Sequence, residues 1–306
     1  MNNKIKIYVV AGPTSSGKSD RAIELALTVD GEVVSADSRQ IYRGLDVGTG
    51  KISIDEMKNV THHCLNIKNP KQQGENLFQN FSVHDWLSYA RVAIDDIISR
   101  GKVPIVCGGT GFYIDALIYG LPDNGPINIK LREELERLDI ATLEKRYNVN
   151  ILNIKNKRRL IRAIEIKESG VEIKERNRDN IYDIEWIIMD INKETLIKNI
   201  RSRCIKRLDS MISETKNLLS LNIDKEWLSS VGIEYKQILL FLENSNKTNS
   251  KESIFILREE LIESIVTKSW QYAKRQMTWN KKYISSIKFP AYGRVGPYTR
   301  GDLNKM

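Results

Sequence analysis

Short apolar runs alternate with amphipathic stretches over the first part of this chain of 306 residues. The runs at 4–10, 32–36 and 103–107 have the length and the β-branched content of buried strands. Apolar positions at helical spacing predict helices between them, over residues 19–29 and 83–99. Because strands that alternate with helices form parallel sheets covered on both faces, we expect an α/β core.

The pattern changes after the turn-rich stretch LPDNGPI at 121–127. From about 128 to 170 the chain is charged, helical in its spacing and poor in strand signals. An apolar strand follows at 184–190, and long helices are predicted from about 193 to 220 and from about 251 to 280. We interpret the middle region as a helical insertion into the core.

Composition adds few constraints. Hydrophobic residues make up 41% of the chain and charged residues 28%, which is ordinary for a globular protein. No apolar run approaches the roughly 18 residues that a membrane-spanning helix needs. The cysteines, Cys64, Cys107 and Cys204, lie far apart with no CxxC pair, which argues against a zinc site or a disulfide framework. We therefore expect a cytoplasmic protein without a membrane partner.

A glycine motif follows the first predicted strand. Residues 12–19, GPTSSGKS, match the P-loop pattern GxxxxGK[ST] in full, between a strand and a helix as the motif requires. The backbone N–H groups of such a loop, with the positive end of the helix, hold phosphate oxygens. Lys18 would neutralise the distal phosphate, and the Ser19 hydroxyl would bind Mg²⁺. The alternative is a glycine-rich turn without a ligand.

Three polar segments follow predicted strands: the P-loop, Asp37 and the glycines at 108–111. They should meet in one cleft, because ligands of parallel sheets bind at the carboxyl ends of strands. The predicted fold is a P-loop NTPase-like parallel sheet core with helices on both faces and a helical insertion domain. The predicted domains are the first part of the core at 1–121, the helical insertion at 122–178 and the second part of the core at 179–306.

Asp37 is the acidic residue at a strand end, whereas the strand at 103–107 runs into glycines and lacks the acid of a Walker B motif. Asp37 belongs to the connection at 35–51, SADSRQIYRGLDVGTGK, which is dense in polar residues and glycine. It could act as a general base within a nucleic-acid contact loop. It could also be an N-cap or an Asx turn, which the local sequence taken alone favours.

The formal net charge is +9, and its distribution is uneven. Basic residues gather without acids at 155–162, 198–207 and 274–282. Such clusters favour a polyanionic partner, plausibly nucleic acid. The alternative is a set of helix faces that simply point to water.

Seven segments in order along nearly the whole chain form a specific set. They are GPTSSGKS at 12–19, SADSRQIYRGLDVGTGK at 35–51, HHCLNI at 62–67, VPIVCGGTGFYIDAL at 103–117, RRLIRAIEI at 158–166, the Arg203/Arg207/Met211 spacing and AKRQMTW at 273–279. With this set the chain resembles the bacterial tRNA dimethylallyltransferases of the IPP transferase family, which prenylate an adenosine beside the anticodon.

The resemblance implies transfer of a dimethylallyl group from dimethylallyl diphosphate to the N6 amine of adenosine 37 in tRNAs that read codons beginning with U. Thr14 would lie beside the reacting carbon, and Asp37 would accept the proton of the amine. Lys18, Arg207 and a Mg²⁺ ion bound through Ser19 would stabilise the pyrophosphate. The diphosphate would lie in the P-loop, formed by Gly12, Pro13, Thr14, Ser15, Ser16, Gly17, Lys18 and Ser19.

The implied partner is the anticodon stem-loop of tRNA, bound by a monomer. The positions that match the family's tRNA contacts are Asp37, Ser38, Arg39, Gln40, Thr110, Arg132, Arg158, Arg159, Leu160, Ile161, Arg162, Lys274, Arg275, Gln276, Met277, Thr278, Trp279, Asn280 and Lys281. The chain departs from the family pattern at Ser229 and Ile233, where a basic residue and a Gly-Tyr pair are usual.

Other functions compete with this interpretation. A P-loop kinase of a small metabolite would explain the P-loop and the core, but not the basic clusters or the 35–51 connection. A non-catalytic RNA-binding protein would explain the clusters, but not an intact Lys18, Ser19 and Asp37. The adjacent His62 and His63 suggest a metal only weakly, because adjacent histidines without further ligands more often end a strand.

Overall fold

The structure, a computed structural model, describes residues 4–75, 81–122, 128–147, 156–170, 182–248 and 250–284. Residues 123–127 of the predicted linker, residue 155 of the first basic cluster and the predicted boundary at 178–179 lie outside the described residues. Within the described residues, no helix has both the length and the apolar character needed to cross a membrane.

A parallel sheet forms the centre of the fold. Its strands are β1 Lys6–Ala11, β2 Gly31–Ser35, β3 His62–His63, β4 Val103–Gly108 and β5 Asp183–Ile188. The order across the sheet is β3–β2–β4–β1–β5, and every neighbouring pair is parallel. Tyr8 of β1 lies opposite Ile105 of β4 on one side and Glu185 of β5 on the other. Strand β1 therefore has a neighbour on each side, and its carboxyl end lies inside the sheet.

Helices make up most of the remaining described chain. They are α1 Lys18–Val29, α2 Val83–Ser99, α3 Gly111–Tyr119, α4 Ile129–Glu136, α5 Ile140–Tyr147, α6 Lys157–Glu168, α7 Lys193–Ser220, α8 Lys225–Val231, α9 Ile233–Ser245 and α10 Lys251–Ile284. Local signals set several helix starts. Ser82 and Asp85 form a capping box before α2, and the Asn192 side chain caps α7 by accepting from the Thr195 N–H.

Both faces of the sheet are covered, as strands of a parallel sheet require. Tyr8 and Val10 pack against α1 in one hydrophobic cluster. Ile7 and Val9 alternate with them, point to the other face and are fully buried as well. The predicted α/β fold with a P-loop-like sheet core is confirmed.

The four strands and the long helices expected from the sequence are present with ends shifted by a few residues. The sequence did not predict α3, α8, α9 or the two-residue β3. In α3 the buried residues are nearly continuous, from Tyr113 to Ile118 apart from Asp115, so the helical spacing of apolar positions is obscured. A strand as short as β3 carries no periodicity at all.

The chain divides into two compact units. The larger comprises Met1–Glu75, Ser82–Ile118 and Asn180–Met306, and the smaller comprises Asn76–Phe81 and Tyr119–Asp179. In the larger unit α7, α9 and α10 share a second hydrophobic core beside the sheet core. The smaller unit contains α4, α5 and α6 around a core formed by Leu135, Leu143, Leu160, Ile161 and Ile164.

Candidate functional site

A cleft of about 880 Å³, partly open to solvent, lies at the carboxyl ends of the strands in the larger unit. The P-loop after β1, the connection after β2 and the residues ending β4 contribute Lys18, Asp37 and Gly108 to its wall. Helices α7 and α10 close the cleft with Arg203, Tyr272 and other side chains. The three predicted polar segments thus converge, as the topology of a parallel sheet requires.

The P-loop passes from β1 into α1 through Gly17, which has φ +82° and acts as the N-cap of the helix. That left-handed conformation favours glycine, which explains the residue at this position. The first turn of α1 then presents backbone N–H groups that have no acceptor within the helix. Together with the helix dipole, these N–H groups make the entrance of α1 suitable as an anion site.

Lys18 supplies a cation beside this anion site. Its ammonium lies 3.4 Å from the Pro13 carbonyl oxygen, and its side chain lines the cleft. Desolvation lowers the pKa of Lys18, while the charge of Asp37 opposes that shift. An anionic ligand would stabilise the charged form of Lys18, because it would offset the cost of desolvation.

Asp37 lies where β2 ends and lines the cleft. Its Oδ1 accepts from the Arg39 N–H at 2.9 Å and from the Gln40 N–H at 3.4 Å. The sequence left a choice between an Asx turn and a catalytic base, and the geometry shows the turn. The two roles are compatible, because the turn fixes the carboxylate in the cleft.

Two arginines of α7 approach the P-loop from the other side. Arg203 donates to the Thr14 hydroxyl at 3.3 Å and lines the main cleft. Arg207 lies with Arg203 beside an adjoining cavity of about 340 Å³, next to Thr14 and Ser15. Burial and the neighbouring Arg207 lower the pKa of Arg203. Among the described residues, Arg207 Nη1 is one of three buried side-chain atoms without a hydrogen-bond partner.

Arg203 was not among the site residues predicted from the sequence. The signal was present, because Arg203 and Arg207 are four residues apart and therefore share one face of a helix. The 198–207 cluster was read from the sequence only as favouring a polyanionic partner, plausibly nucleic acid. Arg203 and Arg207 instead turn toward the P-loop, and Arg201 pairs with Glu263 at 2.5 and 2.6 Å.

The long connection after β2 is held in place by polar contacts, most of which are at least partly buried. The Glu214 carboxylate of α7 accepts from the backbone N–H groups of residues 46–48, at 2.7 to 2.9 Å, and from the Tyr235 hydroxyl at 2.7 Å. Lys51 is buried and donates to Tyr42, Asp46 and Asn66, each at 2.6 Å. These contacts fix the connection that carries Asp37, and the sequence alone did not assign them.

The predicted contact segment at 274–281 lies on α10, and its side chains divide between two environments. Lys274, Arg275, Thr278 and Lys281 are exposed, whereas Gln276 and Asn280 are buried. The intermediate residues are also engaged: Met277 packs on the second core, and Trp279 donates to Asp115 at 3.1 Å. Only the exposed residues present whole side chains to a partner.

Arg39 and Gln40 line the cleft, and Ser38 precedes them on the same connection. The Thr110 hydroxyl accepts from the Ser38 N–H at 3.2 Å, and the Gln40 amide donates to the Gly50 carbonyl at 3.2 Å. Arg39 lies 5.1 Å from the Tyr272 ring centroid and 3.9 Å from Glu234. Of the two departures from the family pattern, Ile233 lines the cleft and Ser229 is half-buried in α8.

In the smaller unit, Arg158 and Arg159 of α6 are exposed. Leu160 and Ile161 are buried in the core of the unit, so their side chains cannot meet RNA in this conformation. The remaining predicted contacts are paired within the unit. Arg132 binds the buried Glu165 through two hydrogen bonds of 2.8 and 2.6 Å, and Arg162 reaches the same carboxylate at 3.2 Å.

His62 and His63 form β3, as expected for histidines at a strand. His63 hydrogen-bonds to the buried Glu32 at 2.7 Å, and His62 lies against the Val60 carbonyl at 2.9 Å. Arg100 and Lys102 also reach Glu32, and the Arg100 hydrogen bond does most to lower the pKa of Glu32 to about 2. Within the described ranges no three His, Cys, Asp or Glu residues gather as metal ligands would.

The fold and the cleft define an α/β P-loop protein whose anion site faces an aspartate and two arginines. The family model for IPP transferase matches residues 40–283, and the chain belongs to this family. It is therefore a transferase, and the resemblance drawn from its motifs is confirmed.

Individual relatives agree with this assignment. A protein named tRNA dimethylallyltransferase from Protochlamydia amoebophila (strain UWE25) is 36% identical over 297 residues, which cover 92% of this chain and 82% of the relative. The solved tRNA delta(2)-isopentenylpyrophosphate transferase of Staphylococcus epidermidis has a TM-score of 0.61 at 29% identity, covering 91% of this chain and 90% of the other. A solved eukaryotic dimethylallyltransferase acting on tRNA has a TM-score of 0.70 at 27% identity, covering 93% and 72%.

Proposed function

We propose that this protein is a tRNA dimethylallyltransferase of the cytoplasm. It transfers the dimethylallyl group of dimethylallyl diphosphate to the N6 amine of adenosine 37 in tRNAs that read codons beginning with U. The products are N6-isopentenyladenosine and pyrophosphate. The observation that carries this proposal is a single cleft that holds an anion site and Asp37 within reach of one ligand.

The diphosphate would lie in the P-loop, with the first turn of α1 and Lys18 on one side and Arg203 and Arg207 on the other. The desolvated Lys18 and the unpartnered Arg207 nitrogen support this placement, because an anion would satisfy both. Thr14 would lie beside the reacting carbon, since it lines both the cleft and the adjoining cavity.

In the reaction the allylic C–O bond breaks as the bond from N6 to the same carbon forms. The electron pair of the broken bond stays on the departing pyrophosphate, and the N6 proton passes to Asp37. Charge builds on the leaving diphosphate, so fixed cations around it lower the barrier. The Asx turn supports the role of Asp37, because a base must be held in one orientation to act.

The oxygen donors of the site fit a magnesium ion. Ser19 lines the cleft, and its hydroxyl is a hard oxygen ligand of the kind that Mg²⁺ prefers. Because no triad of ligating side chains occurs in the part of the chain that the structure describes, diphosphate oxygens and water would complete the ligand set. When bound, the ion would neutralise charge on the leaving group.

The nucleic-acid partner would be the anticodon stem-loop, bound by a monomer. The target adenosine must leave its stack to reach Asp37, as in other enzymes that modify bases. Four exposed residues of α10, Lys274, Arg275, Thr278 and Lys281, could contact phosphate groups of the loop. The arginines of the helical unit are proposed as further contacts.

The test is an assay with purified protein, unmodified tRNA, Mg²⁺ and dimethylallyl diphosphate. We expect a mass increase of one dimethylallyl group on one anticodon-loop adenosine, without a need for ATP. A parallel arm measures ATP hydrolysis and phosphate transfer, which the kinase alternative requires. Background prenyl transfer together with ATP consumption would refute the proposal, and tRNA binding without any turnover would favour the non-catalytic alternative.

A further inference from the structure

Gln276 of α10 joins two loops of the cleft that are distant in sequence. Its Oε1 accepts from the Thr14 N–H at 2.8 Å, and its Nε2 donates to the Gly109 carbonyl at 3.0 Å. Only 6% of the residue is exposed. One amide therefore satisfies a P-loop donor and an acceptor after β4, and few other side chains combine both functions in this way.

The backbone around Gln276 is fitted to that amide. A Cβ atom built on Gly109 would lie 2.1 Å from Gln276 Nε2, so any larger residue at 109 would displace the glutamine. Trp279 lies one helical turn after Gln276 on α10, and a Cβ atom built on Gly111 would lie 2.2 Å from its ring. The glycines of the β4 loop thus allow α10 to approach the P-loop closely.

The hydrogen bond to Gln276 also changes the P-loop itself. The Thr14 N–H is committed to α10 and is not available to a phosphate oxygen. The Thr14 hydroxyl meanwhile accepts from Arg203. Thr14 is therefore held from two helices, through its backbone by α10 and through its side chain by α7.

Residues close to Gln276 on α10 are exposed to solvent. Lys274, Arg275 and Thr278 are exposed on the same helix and belong to the surface proposed to meet RNA. One face of α10 would contact RNA while the other holds Thr14 beside the reacting carbon.

We infer that Gln276 is a positioning residue, which acts through Thr14 on the prenyl-transfer step and makes no contact with RNA. This inference rests on the proposed function. It differs from the RNA-contact role that the family resemblance implied for this position. The Thr14 amide does not hold diphosphate, so Gln276 should affect the rate of the chemical step and leave ligand binding nearly unchanged.

The experiment compares Gln276→Ala, Gly109→Ala and the double variant with the wild type in prenyl transfer. We expect Gln276→Ala to lower kcat by about 100-fold, because misplacement by about 1 Å costs a factor of that order. The KM for tRNA and the affinity for inorganic pyrophosphate should stay within about threefold, which is well below the tenfold change that 1.4 kcal/mol would give. Lys274→Ala, on the exposed face of the same helix, should do the reverse and raise the KM for tRNA at nearly constant kcat.

The double variant separates positioning from general damage. Gly109→Ala should lower kcat about as much as Gln276→Ala, because its methyl group expels the glutamine amide. In the Gln276→Ala background the methyl group has room, so the second substitution should cost nothing more.

Three results would overturn the inference in an active wild type. They are an unchanged kcat in Gln276→Ala, a loss confined to the KM for tRNA, or losses that multiply in the double variant. A pyrophosphate affinity lowered more than about tenfold, or 1.4 kcal/mol, would also overturn it, since the Thr14 amide would then belong to the anion site. A wild type without prenyl transfer would instead refute the proposed function, and the inference would fall with it.

Discussion

Arginines occur in both units of this protein, but their surroundings differ. In the cleft, Arg203 is desolvated beside Arg207, and Arg207 retains a buried nitrogen without a hydrogen-bond partner among the described residues. In the helical unit, Arg132 and Arg162 share the buried carboxylate of Glu165. The surroundings of the cleft arginines fit the proposed diphosphate, whereas Arg132 and Arg162 already have an internal partner.

Because of this difference, the number of basic residues in a region does not by itself indicate a bound anion. A cation that pays a desolvation penalty without a partner is costly to the fold, so its retention points to a ligand. A cation paired with a buried carboxylate is explained by the structure of its own unit. The helical unit would therefore engage RNA mainly through the exposed Arg158 and Arg159, with Arg132 and Arg162 held in fixed orientations.

The largest effect should come from removing the proposed base, Asp37, which lines the cleft together with Lys18 and Arg203. Asp37→Asn keeps an oxygen that can accept from the Arg39 and Gln40 N–H groups, so the turn should survive. The carboxamide cannot take the N6 proton. We expect kcat to fall by about 10³-fold, within the usual range for a lost general base, when prenyl transfer is measured.

Binding of inorganic pyrophosphate should persist in Asp37→Asn and should be no weaker than in the wild type, because a negative charge has left the cleft. Asp37→Ala should also abolish turnover but disturb the turn. Retained turnover in either variant would remove Asp37 as the base.

The next effect tests whether the cleft arginines bind the anion. Arg203→Met removes a charge beside Thr14 and should weaken pyrophosphate binding about 10- to 100-fold, since a charge-assisted hydrogen bond contributes about 1.5–3 kcal/mol. Arg201→Met is the matched control, because Arg201 lies on the same helix and pairs with the exposed Glu263. Calorimetry should show no change for Arg201→Met. Equal losses in the two variants would mean that only net charge matters.

The sequence was most informative where function depends on contiguous residues. GPTSSGKS fixed the P-loop, Asp37 follows its strand directly, and alternating strands and helices define the parallel sheet. Each of these is a local pattern with a known geometry.

Long-range contacts could not be predicted in the same way. Gln276 meets Thr14 across 262 residues, and Glu214 meets the 46–48 backbone across more than 160. Nothing local distinguishes Glu165, a buried acid that holds two arginines, from an exposed glutamate on the same helix. Whether a charged side chain is paired depends on tertiary packing. The prediction from sequence therefore counted paired arginines, such as Arg132 and Arg162, as residues available to RNA.

A smaller effect should follow from breaking the internal pairing of the helical unit. Glu165→Gln retains two polar atoms but loses the charge that orients Arg132 and Arg162. If those orientations serve RNA, the KM for tRNA should rise about fivefold, which corresponds to about 1 kcal/mol. Pyrophosphate binding in the cleft should not change.

Glu134→Gln provides the control within the same unit, because Glu134 pairs with Arg146 and both side chains are more than half exposed. Exposed pairs contribute little, so this variant should match the wild type in the same assay. If Glu165→Gln also matches the wild type while remaining folded by circular dichroism, Arg132 and Arg162 serve only the structure of the helical unit.

The smallest effect per residue concerns the exposed face of α10. Each lysine that contacts a phosphate releases counterions, so its removal should reduce the slope of log K against log salt by about 1. We expect that change for Lys274→Ala and for Lys281→Ala when tRNA binding is measured across a salt series. Lys247→Ala serves as the control, because Lys247 is exposed beyond the end of α9 and belongs to none of the basic clusters. If all three variants keep the wild-type slope, Lys274 and Lys281 contribute no phosphate contacts. The RNA-binding surface would then have to be sought among other exposed cations, such as Arg158 and Arg159.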